Sequence, residues 1–251
     1  MHKNNIKKLL VVMPVHNDGM YIERAINSII NQTFQNFVLY IVNDLSTDDS
    51  LNKIEKYLHN PKIKLINNKK NGGCFYSKNT GISLLETEDF DVYTTHDADD
   101  FSDSTRFEKV MNIFNNEDII ALEDYELRIG GIVPDWYNKP GETMPNHAHA
   151  FFSKKAFSLF GYYDNFFCGA DTDYWHRAIK YSRINPSYIV FTLPELLYYA
   201  QVTGNNMILR YGKEIRDLYF KKHMEEIDKM KEDKDFYRPF FNIEEAKKWN
   251  T

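Results

Sequence analysis

Leu9–Met13 is an uninterrupted apolar run stopped by Pro14. Such a run predicts a strand covered on both faces, because a strand with one wet face alternates. After Asn17, Asp18 and Gly19, apolar residues fall at Ile22, Ala25, Ile26, Ile29 and Ile30, the spacing of one helical stripe behind a capping residue. Phe37–Val42 repeats the buried-strand pattern. Ser46, Thr47, Asp48 and Asp49 then open a second stripe at Leu51, Ile54, Tyr57 and Leu58. Lys64–Asn67 predicts a third strand, Ser77–Leu85 a helix and Phe90–Thr95 a fourth strand. Strand and helix alternate throughout this half, which predicts an α/β fold with a doubly wound, mainly parallel sheet flanked by helices.

The second half is less regular. A stripe at Phe107, Val110, Met111 and Phe114 predicts a helix, followed by a short apolar run at Ile119–Leu122 and a loop rich in Gly and Pro from Gly130 to Pro145. A helix over Asp171–Tyr181, a strand at Tyr188–Thr192 and a last helix with Ile208, Tyr211, Ile215, Leu218 and Tyr219 on one face follow. Met224–Asp235 is dense in both signs of charge and reads as a solvated helix. Phe236, Tyr237, Phe240 and Phe241 around Pro239 are expected to fold back on the body.

Composition narrows the function. With 251 residues, 43% of them hydrophobic and 27% charged, the chain suits one large domain or two intimately joined ones. No stretch approaches the ~20 apolar residues of a membrane span. A net charge of −5 argues against a nucleic-acid partner. Cys74 and Cys168 cannot supply a disulfide framework or a four-cysteine zinc site, and the N-terminal apolar run is too short for a signal peptide, so a reduced, cytoplasmic protein is expected.

In an open parallel sheet, ligands bind beyond the carboxyl ends of the strands. The second strand ends at Asn43 and Asp44, and the fourth runs into His96, Asp97, Ala98, Asp99 and Asp100, so both acidic groups should face one crevice. Carboxylates crowded there call for a hard divalent cation, Mn2+ or Mg2+, of the kind held by one or two carboxylates and a substrate's phosphates. Asp-x-Asp alone is weak, since it recurs at Asp89/Asp91, Asp171/Asp173 and Asp233/Asp235. The position after a buried strand is what singles out Asp97 and Asp99. Gly72–Gly73 is either a plain turn or a place where backbone approaches a diphosphate.

The order of these motifs resembles the inverting glycosyltransferases of family 2, with the Rossmann-like GT-A fold. The carriers are VVMPVHNDGMYIERAINSIINQTFQNFVLYIVNDLSTDDS from Val11, KNGGCFYSKNTGI from Lys70, HDADD at His96–Asp100 and GADTDYWHR at Gly169–Arg177. The resemblance implies a metal-dependent enzyme moving a sugar from a UDP-sugar to a hydroxyl of a glycan or related acceptor. It implies that Asp44 holds the uracil, that Pro14, His16 and Asn17 line the nucleoside pocket, and that Gly73 and Lys78 meet the diphosphate. Asp97, Ala98 and Asp99 would hold ribose and metal, and Asp171 would be the general base. His147 and His149 alternate and would share a face if extended; His147 is preferred as a further metal ligand. Asp171 could also be a helix cap; Asp173 is the alternative base, though a structural role is expected of it. The chain divides on this reading into a nucleotide-sugar half (1–105), an acceptor-binding and catalytic half (106–204) and a C-terminal helical extension (205–251). The extension is expected to pack on the body; a homodimer contact or a peripheral one to a surface-held acceptor is its other use.

Departures qualify the resemblance. Asn43 replaces a frequent aspartate, Leu45 a frequent glycine and Ala170 a frequent glutamate, while Gln201 stands near where a basic residue often lies beside the diphosphate. These prompt a competing reading as a nucleotide-sugar-binding protein without turnover. A sugar nucleotidyltransferase is disfavoured because residues 14–20 lack a glycine-rich basic loop. The sugar would be chosen in the irregular half, near Trp136, Tyr137 and Asp124.

Overall fold

The computed structural model describes residues 7–116, 118–131, 139–164, 166, 169–203 and 207–239. Cys168, Trp136, Tyr137, Phe240 and Phe241, and residues 132–138 of the predicted Gly/Pro-rich loop, lie outside these residues. In chain order the elements are β1 (Leu9–Val15), α1 (Ile22–Ile30), β2 (Phe37–Asn43), α2 (Ser50–Glu55), β3 (Ile63–Asn67), α3 (Cys74–Ile82), β4 (Val92–Thr95), β5 (Phe101–Ser102) and α4 (Arg106–Asn116). They continue with β6 (Ile119–Ile129), β7 (Thr143–Pro145), β8 (Phe151–Ser153), α5 (Lys154–Phe160), α6 (Ala170–Ile184), β9 (Ile189–Gln201), α7 (Met207–Lys229) and α8 (Asp233–Phe236).

One nine-stranded sheet runs β3-β2-β1-β4-β8-β6-β9-β5, with β7 paired to β6. The first four strands are parallel, as the alternation predicts. β8 enters antiparallel between β4 and β6, and β9 then runs parallel to β6. β1 is buried along its whole length because both faces are covered. Leu10 and Val12 join a layer completed by α3, α5 and α6, while Leu9, Val11, Met13 and Val15 join one completed by α1, α2 and α4.

Several expectations are corrected. The polar loop after β1 does not cap α1 with a side chain; the Tyr21 and Ile22 amides donate to the Asp18 carbonyl instead. Asn17 turns its Oδ1 toward the Thr47 and Asp48 amides (2.7 and 3.3 Å), so it braces the loop before α2. The predicted Tyr188–Thr192 strand extends to Gln201. Along it the pairing with β6 is irregular between Thr192 and Tyr198, then continuous to Gln201. Short β5 and β8 and the helix α5 carry too few residues for a legible period. On α7, Ile215 and Leu218 are exposed, and the buried line is Tyr219, His223 and Ile227, continuing to Met230. The tail is therefore not a solvated helix: it packs through that line. Phe236 is fully buried, whereas Tyr237 stays 43% exposed.

The tail is fastened at Gly161, which bridges to Arg238 with φ 64°. A Cβ there would lie 2.1 Å from the Arg238 carbonyl oxygen. Gly161→Ala is therefore expected to cost at least about 1–3 kcal/mol, read as a lower urea midpoint; an unchanged midpoint would mean the tail contact contributes nothing.

Candidate active site

β1, β2 and β4 end at one edge, and the loops that follow them build the site. Asp44, just past β2, is buried, and its carboxylate accepts the amides of Gly72 (3.0 Å) and Gly73 (2.7 Å) and the Asn68 amide nitrogen (2.8 Å). It thereby fixes the glycine turn that starts α3, where Gly73 holds φ 84°. The neighbouring Leu45 takes φ 58°, a left-handed conformation that costs leucine more than it would glycine. Asn43 donates to Asn67 Oδ1 and accepts the Ser46 amide, holding the turn in place of a carboxylate. His16 is exposed, with Nδ1 2.8 Å from the Asp44 carbonyl oxygen, and Asn17 is exposed beside it at φ 61°. Pro14 is buried inside β1 opposite Val42, so it shapes the floor rather than presenting a surface.

The turn after β4 holds the acids. Asp97 Oδ1 is 3.2 Å from Lys78 Nζ, and its Oδ2 is 3.2 Å from His149 Nε2. Burial opposes its charge, yet Lys78 and His149 hold its carboxyl well below the usual carboxylate range. Lys78 is itself buried on α3, directed at Asp97 rather than opened to the crevice. Ala98 is buried. Asp99 is half-buried, its carboxyl pushed up to about 7 by burial, then by Asp97 and Asp18. Asp18, from the loop after β1, rises to about 6 chiefly through burial. Asp100 is raised well above its ordinary value by burial and by Asp99 and Asp97; it accepts the Tyr198 hydroxyl (2.8 Å) and the Gln201 amide (2.7 Å) from β9.

His147 and His149 are not in an extended segment. They occupy a 3-10 turn, His147–His149, which sends the two rings to different places. His147 Nδ1 lies 3.8 Å from Glu123 Oε2, whose carboxyl burial raises to about 7. His149, the partner that sequence reasoning ranked second, faces Asp97 instead. Its Nδ1 is 3.1 Å from Asn146 Oδ1, an oxygen that also accepts the His149 amide, so Asn146 fixes the ring and turns Nε2 toward Asp97. The buried Nε2 makes no hydrogen bond, although an Asp97 carboxylate oxygen lies 3.2 Å away. An unpartnered ring nitrogen beside that carboxylate forms a pair of ligand atoms that a cation can share, and ligand atoms of Asp97, Asp100 and His149 lie within 4.8 Å of one another. This donor set fits Mn2+ or Mg2+, with Asn146 orienting the imidazole. Asp99 and His147 fall outside that group of three.

A buried frame supports the turn. Arg106 pairs with Asp124 through Nε (2.6 Å) and Nη2 (3.0 Å), donates to the His149 carbonyl (2.9 Å) and stacks over Tyr198. Asp124 is therefore buried in an ion pair. Sequence reasoning missed Arg106, Tyr198 and Asn146, whose only signal is their nearness to motifs.

Asp171 is the second residue of α6, whose N-cap is Gly169 rather than an aspartate. Its Oδ1 accepts the Thr172 amide at 2.7 Å, so it satisfies one helix-start donor without being the cap. α6 packs on the His147–His149 turn, and the Asp171 charge is felt by His147 and Lys78. Asp173 is buried with Arg177 (2.9 Å), and Ala170 is fully buried.

The sequence model of glycosyl transferase family 2 matches residues 10–176, about two thirds of the 251. The chain belongs to glycosyl transferase family 2. This family 2 chain is 25% identical over 254 aligned residues to chondroitin synthase of Escherichia coli, covering 95% of the chain and 35% of the synthase. It spans 37% and 42% of two uncharacterised glycosyltransferases of Haemophilus influenzae that it also matches. Among solved structures, residues 1–349 of Staphylococcus aureus TarS with UDP-GlcNAc superpose with a TM-score of 0.63 at 20% identity, covering 88% of this chain and 65% of that one. The mannosyltransferase PcManGT of Pyrobaculum calidifontis, with GDP-Man and Mn2+, gives 0.63 at 14% identity, covering 90% and 65%. The fold of the family 2 chain is accordingly GT-A.

Proposed function

We propose that this chain is an inverting, metal-dependent glycosyltransferase that moves a sugar from a nucleoside diphosphate, UDP by preference, to a hydroxyl of a glycan. The observation that carries the proposal is the facing pair of Asp97 Oδ2 and His149 Nε2, with Asp100 beside it, at the mouth of the loop pinned by Asp44. The neighbours solved with UDP-GlcNAc and with GDP-Man and Mn2+ support a nucleotide-sugar donor and a divalent cation. When bound, that cation supplies positive charge for the departing diphosphate. Asp97, Asp100 and His149 would hold it, with Asp99 beside them. Asp171 takes the proton of the attacking hydroxyl, and a single displacement inverts the anomeric carbon. Among the described residues no helix is long and apolar enough to cross a membrane; a cytoplasmic setting, with peripheral contact to any lipid-held or surface acceptor, is part of the proposal.

Calorimetric titration of UDP, GDP, CDP and dTDP, each with Mn2+ and with EDTA, followed by a UDP-release assay over sugar donors, tests this. Mn2+-dependent binding with UDP tightest is expected; binding of no nucleotide would reject the proposal. The competing reading of binding without turnover rests on Asn43, Ala170 and Gln201; Asp44, whose oxygens already accept from Gly72, Gly73 and Asn68, would have to share them with a uracil in either reading. Tight UDP binding with no donor consumed across broad acceptor screens would establish the competing reading.

A further inference from the structure

The cations around the crevice are unequally neutralised. Lys78 is buried against Asp97, Arg106 is buried against Asp124, and Lys53 on α2 pairs with Asp49 at 2.9 Å. Arg24, on the outward face of α1, is different. It is exposed, and its Nη2 donates to the Asp99 carbonyl oxygen (2.6 Å) and to Gln201 Oε1 (3.2 Å). Its guanidinium lies 4.7 Å from the centre of the Phe101 ring, which stacks on Tyr199 at 4.7 Å. Every one of these partners is neutral, so the group is oriented without its charge being cancelled. A rigidly held, uncancelled guanidinium beside a crowd of carboxylates is suited to an anion that arrives with its own counter-cation.

We propose that Arg24 binds the sugar-bearing phosphate of the donor, which becomes the terminal phosphate of the departing diphosphate, supplying from α1 the positive charge that the sequence lacks at Gln201. This inference rests on the nucleotide-sugar reading above. Gln201 becomes the strut that aims the guanidinium, and the Phe101–Tyr199 stack the surface along which it lies. The predicted weak leaving-group stabilisation at Gln201 is thereby made good by a residue that precedes it by most of the chain.

The test compares a nucleoside diphosphate with its monophosphate, in Mn2+, using UDP and UMP or, if GDP binds the wild-type chain more tightly, GDP and GMP. Arg24→Gln keeps an N–H donor for the two carbonyl oxygens and removes the charge. It is expected to weaken the diphosphate by ten-fold or more and the monophosphate by less than two-fold, with Arg24→Lys intermediate and the melting temperature unchanged. Equal losses for both nucleotides, or no loss for either, would overturn the proposal, since the side chain would then serve only to tie α1 to the acidic turn. Failure of the wild-type chain to bind any nucleotide would remove the donor reading itself, and this one with it.

Discussion

Asp171→Asn is expected to lower sugar transfer by about 10²–10⁴-fold, the span attributable to a positioned general base, while donor binding stays within about two-fold by calorimetry. The reason lies in the start of α6. Asn retains an oxygen able to accept the Thr172 amide, which Asp171 Oδ1 accepts at 2.7 Å, so the helix start survives and only the proton acceptor is lost. Asp171→Ala should also remove transfer but lower the melting temperature as well, because that amide loses its partner and the helix start its negative charge. Transfer at the wild-type rate in the Asn variant would sink the base assignment and move attention to another acid on the acceptor side. A parallel loss in Asp173→Asn has a different meaning: Asp173 is fully buried against Arg177, so its removal acts through folding and shows in the melting temperature first.

Arg106→Met is expected to cost about 3–5 kcal/mol, the cost of breaking a buried ion pair from one side. Both partners are fully buried, and the change strands the Asp124 carboxylate and the His149 carbonyl oxygen together. Urea denaturation with an unchanged m-value would report it as stability alone. Pairing the change with Asp124→Leu should restore part of the loss, since two apolar groups replace two charges. The same double variant should still bind metal poorly: Asn146, which orients His149, keeps its backbone bond to the Asp124 carbonyl (2.7 Å) but loses the side-chain bond to Asp124 Oδ1 (3.4 Å), and the His149 carbonyl loses the Arg106 donor. A single-variant loss under about 1 kcal/mol would mean that water reaches Asp124 freely.

Much of the first half was legible because it rests on a repeating covalent logic. Apolar runs such as Leu9–Met13 can only be covered strands, and the helical stripes between them supply the covers. The location of the acids followed from the same alternation. What stayed hidden depends on turns and long-range pairs. His147 and His149 share a face in an extended chain, but the 3-10 turn closed by Asn146 separates them and hands Asp97 to His149. The stripe chosen on α7 was rotated from the buried one, because Ile215 and Leu218 look like core residues and are exposed. Arg24 gave no sign of itself, as a charged residue on the polar face of a surface helix is the ordinary case. Lys78 follows the glycine turn as its motif suggests, and the structure directs it to Asp97 rather than into the open crevice.

The pairing of β9 with β6 bears on how this family 2 chain tolerates change in length. From Tyr198 to Gln201 the register is unbroken, and successive residues have opposite duties: the Tyr198 hydroxyl meets Asp97 and Asp100, while Tyr199 stacks on Phe101 on the other face. One inserted residue there would exchange the two faces. Between Thr192 and Leu196 the pairing is already irregular, so extra residues can be absorbed before they reach the acids. Insertions and deletions should accumulate on the Thr192 side of that boundary and be purged from the Tyr198 side, however freely single residues are exchanged on either.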